Sequence, residues 1–414
     1  MKILVLGGGV VGVATAYHLL KDGHEVAVID RQPPAQGGAS YGNAGLISTG
    51  HAYAWASPKA LTTLLQSFIH KDPTFKMRLR PDPQLIRWGL KFLRECNDAA
   101  VRRNTLAKHQ LSVYSQRVQG EMAEETGVQY HRNNGGLLYL YRTPEALESG
   151  AATMKILQED GQKLEVVDAK RVFEIDPSLA HMQDRIAGAV FSPDDESGNS
   201  RLFTEGLLEI CQKKGGTFDG TTTIERIEAS GDRIERVITN RGELTADAYV
   251  LCLGSWSPLL VKRLGVPLSV YPVKGYSVTI PVEDDHTPPA VGGIDEERKL
   301  AYSPLGNQVR LTTVAEFTGY DTTHTPQDFE YLLAKASDLL PNAGNYDKAE
   351  QWAGLRPMTP DSLPVLGTAR HRNLYFNTGH GHMGWTMACG TARLTADLVA
   401  KRTPEIPLDH LKLR

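Results

Sequence analysis

The sequence predicts an α/β protein built on a Rossmann-type dinucleotide-binding domain, joined to a second α+β part that rests on an antiparallel sheet. Three observations carry this. A short aliphatic run, Ile3-Leu4-Val5-Leu6, breaks at Gly7-Gly8-Gly9-Val10-Val11-Gly12, after which apolar residues recur at helical spacing as far as Lys21. A second apolar run over 25–29 ends at Asp30, near the offset of about 20 residues at which such folds place an acid. Far downstream, 267–282 and 299–314 are rich in Val, Tyr, Thr and Ile, which suits a sheet of different, antiparallel character.

The elements follow in order. Gly7 makes the tight turn after the first strand, Gly9 lets the backbone approach a pyrophosphate, and Gly12 permits close packing of helix on strand. With Val10 and Val11 they open a helix whose free N–H groups and positive dipole end face phosphates. Gly23 suits the helix C-cap. Asp30, followed by Arg31, is placed to accept hydrogen bonds from a ribose diol. The stretch 3–20 carries no Asp, Glu, Lys or Arg and resembles a signal peptide or membrane helix in that respect, but the glycines and the continuing strand pattern argue against both.

Over 56–127 the pattern turns helical. Leu85, Ile86, Trp88, Leu90, Phe92 and Leu93 crowd one region, while Leu106, Leu111, Tyr114, Val118 and Met122 recur at helical spacing; both groups read as core stripes. Strands are expected at 136–141, 164–167 and 186–191, with helices at 144–160 and 201–214. A hairpin over 222–239 turns at Ser230-Gly231-Asp232, with Ile224, Ile227, Ile234 and Val237 inward, and a buried strand over 248–253 ends at Gly254. The polar loop between the two β-rich segments, with Asp284-Asp285, reads as a solvated turn. A helix over 329–340, a strand over 374–377 and a helix over 386–400 close the chain. The nucleotide-binding part is thus assembled from 1–55, 145–265 and 350–414, with 56–144 and 266–349 forming a substrate part and a ligand pocket at the junction.

Composition excludes several classes. At roughly 100–200 residues per domain, 414 residues suit two domains. The 45 Lys+Arg and 48 Asp+Glu leave a net charge of −3, so nothing favours a nucleic-acid partner. Cys96, Cys211, Cys252 and Cys389 show no CxxC spacing, which argues against a disulfide framework or a thiolate metal site and fits a reducing cytoplasm.

Three further stretches, Ser40-Tyr-Gly-Asn-Ala-Gly45, Gly354-Leu-Arg-Pro-Met-Thr-Pro-Asp361 and Gly379-His-Gly-His-Met-Gly-Trp-Thr386, resemble signatures of the FAD-dependent amino-acid oxidoreductases that include D-amino acid oxidase and glycine oxidase. With Tyr271-Pro-Val-Lys-Gly-Tyr-Ser277 added, the sequence is most similar to the branch of bacterial D-amino acid dehydrogenase small subunits, over nearly the whole chain. The resemblance implies non-covalent FAD and a substrate sheet over the flavin face. It also implies oxidative deamination of a D-amino acid by hydride transfer from the α-carbon to flavin N5, giving a 2-oxo acid and ammonia. Electrons would pass to a quinone or another acceptor.

Residue by residue, the resemblance assigns the substrate carboxylate to Arg356, a planar guanidinium suited to bidentate pairing. Tyr302 is expected near the substrate, against the alternative of a core tyrosine, and Tyr276 competes for a related role. His51 and Tyr53 are expected at the pocket entrance. For FAD, Ser40, Asn43, Ala44, Gly45 and Leu46 are expected beside the pyrophosphate and ring system. Ile224 would meet adenine, Gly254 the phosphates, and Gly379, His380, Gly381, His382, Met383, Gly384 and Thr386 the flavin N1–C2 edge. The His380/His382 pair lacks a third ligand, so no metal is expected. No dedicated base stands out. The chain departs from the branch at Thr312-Thr313, where a glycine pair is usual, which leaves the substrate side chain open.

Competing readings are a secondary-amine enzyme of the same fold acting on D-hydroxyproline, glycine or sarcosine, a NAD-dependent dehydrogenase, and a non-catalytic dinucleotide-binding sensor. The expected location is cytoplasmic, with the apolar segment 55–68 a candidate for peripheral contact with the inner membrane. A partner subunit remains open.

Overall fold

The first strand, Lys2–Leu6, lies inside a six-stranded sheet in the computed structural model, which describes residues 1–60, 74–77 and 81–414. It pairs in parallel with Glu25–Ile29 on one side and Ala248–Leu251 on the other. Thr217–Asp219 and Leu374–Thr378 extend the sheet in parallel, and Val365–Thr368 closes one edge in the antiparallel sense. Apart from the exposed Lys2 and Glu25 at their starts, the inner strands Lys2–Leu6, Glu25–Ile29 and Ala248–Leu251 are apolar because both faces are covered. Helices α1 (Val10–Lys21), α3 (Asp98–Thr126) and α4 (Gly384–Val399) pack with Ser200–Lys213 on one face, where Val13, Leu19, Leu111, Phe203 and Met387 are buried. A small three-stranded sheet over Ile224–Ser230, Arg233–Thr239 and Gly242–Leu244 covers the other, with Ile227, Ile234 and Val237 buried as the alternation requires.

The second sheet has nine strands, with Tyr271–Pro281 and Gln308–Phe317 as its long central pair. Glu350–Met358 flanks the first of these, antiparallel over its whole length. The β-rich segment 299–314 forms two antiparallel strands, Leu300–Pro304 and Gln308–Phe317, joined by a tight turn. Part of the presumed solvated loop is also a strand. Gly292–Asp295 sits inside the sheet, antiparallel to Leu300–Pro304 and parallel to Leu137–Tyr141, so the sheet is mixed rather than purely antiparallel. Polar and proline-rich flanks hid it, since four residues are too few to show a period.

The sheets also do not change near residue 145, where the second nucleotide-binding piece was expected to begin. Glu165–Asp168 and Gly188–Ser192 pair with one another and, through the latter, with Leu137–Tyr141, so they extend the substrate sheet. The chain returns to the first sheet only at Thr217–Asp219.

Helix α2 (Pro83–Glu95) corrects another expectation. Asp82 caps it, accepting from the Gln84 and Leu85 N–H groups, and only Trp88 and Phe92 of its apolar residues are buried. Ile86, Leu90 and Leu93 stand 61%, 58% and 51% exposed along one stripe. By contrast, Leu111, Tyr114, Val118 and Met122 of α3 are buried as expected.

Candidate active site

A single cavity of about 1350 Å³ runs between the two sheets, from the glycine loop to the Gln308–Phe317 strand. This exceeds the roughly 300–1,000 Å³ of ordinary small-molecule sites. One end is a backbone cradle. Gly7 has φ +115°, and a Cβ on Gly12 would fall 1.9 Å from the Gly7 carbonyl oxygen, so loop and helix touch backbone to backbone. Gly9 caps α1 with no side chain; Val10 N–H donates to Ser40 Oγ at 3.0 Å. Asp30 braces the same loop, with Oδ2 accepting from Gly8 N–H at 2.7 Å and Oδ1 from Gln32 N–H at 3.1 Å. Beside it the Arg31 guanidinium lies 4.2 Å over the Trp256 ring, and Ile224 and Gly254 complete this end.

The segment Ser40–Leu46 forms the floor and is held from behind. Ser200 Oγ donates to the Ser40 carbonyl at 2.7 Å, Ser303 Oγ to the Ala44 carbonyl at 2.7 Å, and Arg310 Nη1 to the Tyr41 carbonyl at 2.9 Å. Asn43 Oδ1 accepts from Gly45 N–H at 2.9 Å. Burial draws Arg310 down to about 10. Opposite, α4 begins at a turn through Gly381 (φ +60°) with no side-chain cap, so a second long helix directs free N–H groups into the cavity.

Arg356 projects from Glu350–Met358 into the far end. Its Nη1 donates to the Val314 carbonyl at 2.8 Å, and burial draws it down to about 10. The guanidinium lies over Gly275, where a Cβ would come within 2.5 Å of Cζ. Val314 adopts φ +70° at a register shift between Tyr271–Pro281 and Gln308–Phe317, a strained state for a β-branched residue. That bulge aims its carbonyl at Arg356. Thr312 and Thr313, the residues in place of the glycine pair, line the wall here.

His51, Tyr276, His380, His382, Met383, Gly384 and Thr386 also line the cavity, as do Gly7, Gly9, Val10, Val11 and Asn43 to Leu46. Four expected residues do not. Tyr302 is fully buried behind the sheet, because alternation gives the cavity face to Ala301 and Thr312 and the rear core to Tyr302 and Leu311. The Tyr53 ring lies edge-on to His51, 5.1 Å away, among the residues packed on Leu137 and Tyr139. Gly379 makes a turn (φ +79°) behind the wall, against Thr359, and Gly12 serves packing. Tyr276 reaches the cavity with its ring, while its hydroxyl donates to Glu316.

Sequence reasoning missed Glu296, Lys108 and Arg310. Glu296 Oε1 meets His51 Nε2 at 2.8 Å. Burial works to raise the Glu296 carboxyl, but the charges of His51 and Lys299 outweigh it and hold it at about 2. Lys108 Nζ lies 3.3 Å from His382 Nε2.

The model of the family described as "FAD dependent oxidoreductase" (DAO) matches residues 2–398. The chain belongs to the DAO family. Among its relatives, "D-amino acid dehydrogenase 2" of Mesorhizobium japonicum is 48% identical over 407 residues, covering 98% of both chains. "D-amino acid dehydrogenase" of Paramagnetospirillum magneticum is 40% identical over 412 residues, covering 99% of this chain and 98% of that one. Among solved structures, glycine oxidase of Geobacillus kaustophilus superimposes with a TM-score of 0.75 at 23% identity, covering 100% of this chain and 98% of that chain, and shares the fold.

The DAO cofactor, FAD, fits the observed site. The glycine cradle and uncapped start of α1 suit a pyrophosphate, and the Ser40–Leu46 floor and uncapped start of α4 suit the ring system.

Two outcomes test the site. Gly12→Ala is expected to purify without its visible flavin band, since the added methyl cannot fit against the Gly7 carbonyl. Tyr302→Phe is expected to retain full activity and to unfold at an equal or higher denaturant concentration, within about 1 kcal/mol, because the buried hydroxyl it removes has no hydrogen-bond partner among the described residues.

Proposed function

We propose that this DAO-family enzyme oxidatively deaminates D-amino acids to 2-oxo acids and ammonia and delivers the electrons to a membrane quinone. The observation that carries the substrate reading is Arg356. It is a guanidinium at the inner end of the cavity, with one N–H on the Val314 carbonyl and no carboxylate partner among the described residues. A substrate α-carboxylate supplies that missing partner through a charge-assisted pair. The preference for D-amino acids rests on the names of the full-length relatives. FAD, when bound, supplies the acceptor for the hydride leaving the α-carbon.

The chain's own residues orient the reactant. Arg356 holds the carboxylate, Gly275 leaves room for the flat guanidinium, and Thr312 faces the substrate side chain from the sheet, with Thr313 beside it in the wall. His51, fixed by Glu296 and stacked on Tyr139 at 5.2 Å, borders the same space.

The acceptor reading rests on α2. Its exposed Ile86, Leu90 and Leu93 form a stripe flanked by exposed Arg87 and Arg94, the pattern of a helix that lies in an anionic lipid surface. Leu85, Trp88, Gly89 and Leu93 also line the cavity, so the stripe adjoins its mouth and a lipid-dissolved quinone reaches the site from the bilayer. No helix among the described residues is long and apolar enough to cross a membrane. Of the segment 55–68 singled out for such contact, residues 61–68 lie outside the described residues.

Anaerobic addition of D-amino acids is expected to bleach the flavin, while their L forms do not; D-hydroxyproline in the same panel separates primary from secondary amines. Bound flavin that no D-amino acid bleaches would overturn the reading. Arg356→Lys, which keeps the charge but loses the planar fork, is expected to keep FAD and lower kcat/KM on the order of 10²-fold. For the acceptor, Ile86→Asp/Leu90→Asp is expected to abolish sedimentation with anionic vesicles while leaving turnover with a soluble dye unchanged.

A further inference from the structure

Lys108 is a cation buried behind the cavity wall, separated from the cavity by His382, and the orientation of the reactant by Arg356 gives it no role. It projects from α3 into the interior, 1% exposed, with no carboxylate partner among the described residues. Its Nζ donates to the Tyr53 carbonyl at 2.8 Å, and on its other side lies His382 Nε2 at 3.3 Å. Burial alone pulls this ammonium down to about 7, so near neutral pH it gains or loses a proton readily.

His382 faces both Lys108 and the cavity. Its ring stacks on Trp55 at 4.9 Å and is partly open to the cavity. Of the three histidines on the wall, His51 is committed to Glu296, and His380 Nε2 to Thr391 Oγ1 at 2.9 Å. In all three rings Nδ1 has no hydrogen-bond partner among the described residues, but only in His382 does Nε2 face another nitrogen base, the Lys108 amine. Burial first, then the charges of Lys108, His51 and Arg356, hold this ring well below its ordinary value. A ring that stays neutral cannot store a proton. It can pass one through, by accepting on one nitrogen and releasing from the other.

We propose that His382 is a catalytic residue that takes the proton from the substrate ammonium, and that Lys108 is the positioning residue behind it that receives the proton in turn. The inference rests on the amine-oxidation reading above. In the resting state Lys108 is a neutral amine accepting from His382 Nε2–H, and the Nδ1 lone pair faces the cavity. The substrate N–H bond breaks as Nδ1–H forms; His382 Nε2–H breaks as the third N–H of Lys108 forms. The products are a free substrate amine, His382 in its Nδ1–H form and Lys108 as an ammonium held by the Tyr53 carbonyl. The nitrogen lone pair is then available to assist departure of the α-hydride.

Rapid mixing of the holoenzyme with D-alanine under anaerobic conditions tests this. In the wild type the flavin reduction rate is expected to fall about tenfold per pH unit below about 7, where Lys108 is already protonated. In Lys108→Met the fall should begin about two pH units higher, at the substrate's own ammonium, a loss on the order of 10²-fold at pH 7 that recovers at high pH. Lys108→Arg, which cannot give up its proton, should be slow at every pH. A purely structural role would lower all rates without moving the limb. Independently of turnover, ¹⁵N-histidine spectra of the wild-type holoenzyme, with His382 identified by its loss in His382→Gln, should show the ring exchanging Nε2–H for Nδ1–H as pH falls through about 7 without becoming charged. Bleaching with an unmoved pH limb in Lys108→Met, or a single tautomer throughout, overturns the relay and leaves the reaction standing. No bleaching at any pH overturns the reaction and the relay with it.

Discussion

The cavity depends on one buried guanidinium. Arg310 reaches out of the substrate sheet, where Nε donates to Thr279 Oγ1 at 3.0 Å, and grips the backbone of the floor segment at the Tyr41 and Asn43 carbonyls. That segment belongs to the nucleotide-binding part, so the contact sets the distance between the two sheets. Everything else about the site assumes this spacing: the cradle at one end, Arg356 at the other, and a space between them large enough for a dinucleotide plus a substrate.

Arg310, Arg356 and Lys108 follow one electrostatic rule. Arg356 lines the cavity, Arg310 and Lys108 are buried behind its wall, and each donates to a main-chain carbonyl, of Val314, Tyr41 and Tyr53 respectively, rather than to a carboxylate. Carbonyl dipoles satisfy the N–H groups but leave the positive charge of the two arginines uncancelled. Two uncapped helix starts add to the same potential. The glycine cradle and helix start thus favour a pyrophosphate at one end, and Arg356 a carboxylate at the other.

How much of this was legible in the sequence depended on whether the geometry is local. The glycine loop and Asp30 were readable because a turn that needs left-handed or close-packed backbone leaves its requirement in adjacent residues, whereas the Ser40–Leu46 floor was readable only through the family resemblance. Arg356 was readable through its resemblance to a family motif. Lys108 and its pairing with His382 were not, because that pairing joins α3 to a turn near the C-terminus, and no spacing rule connects residues so far apart. Tyr302 was misplaced by one residue: alternation defines two faces of a strand, but only the topology decides that Ala301 takes the cavity. Ile86, Leu90 and Leu93 were misread because helical periodicity shows that a face is apolar and leaves open what covers it.

The order of the six-stranded sheet has a consequence for how the chain folds. Lys2–Leu6 pairs with Ala248–Leu251, which in turn pairs with Leu374–Thr378, so neighbouring strands come from widely separated stretches of sequence. Such a sheet cannot zip up locally; long loops must close before these pairings form, which makes this the slow step and leaves apolar strand surface open to wrong partners in the meantime.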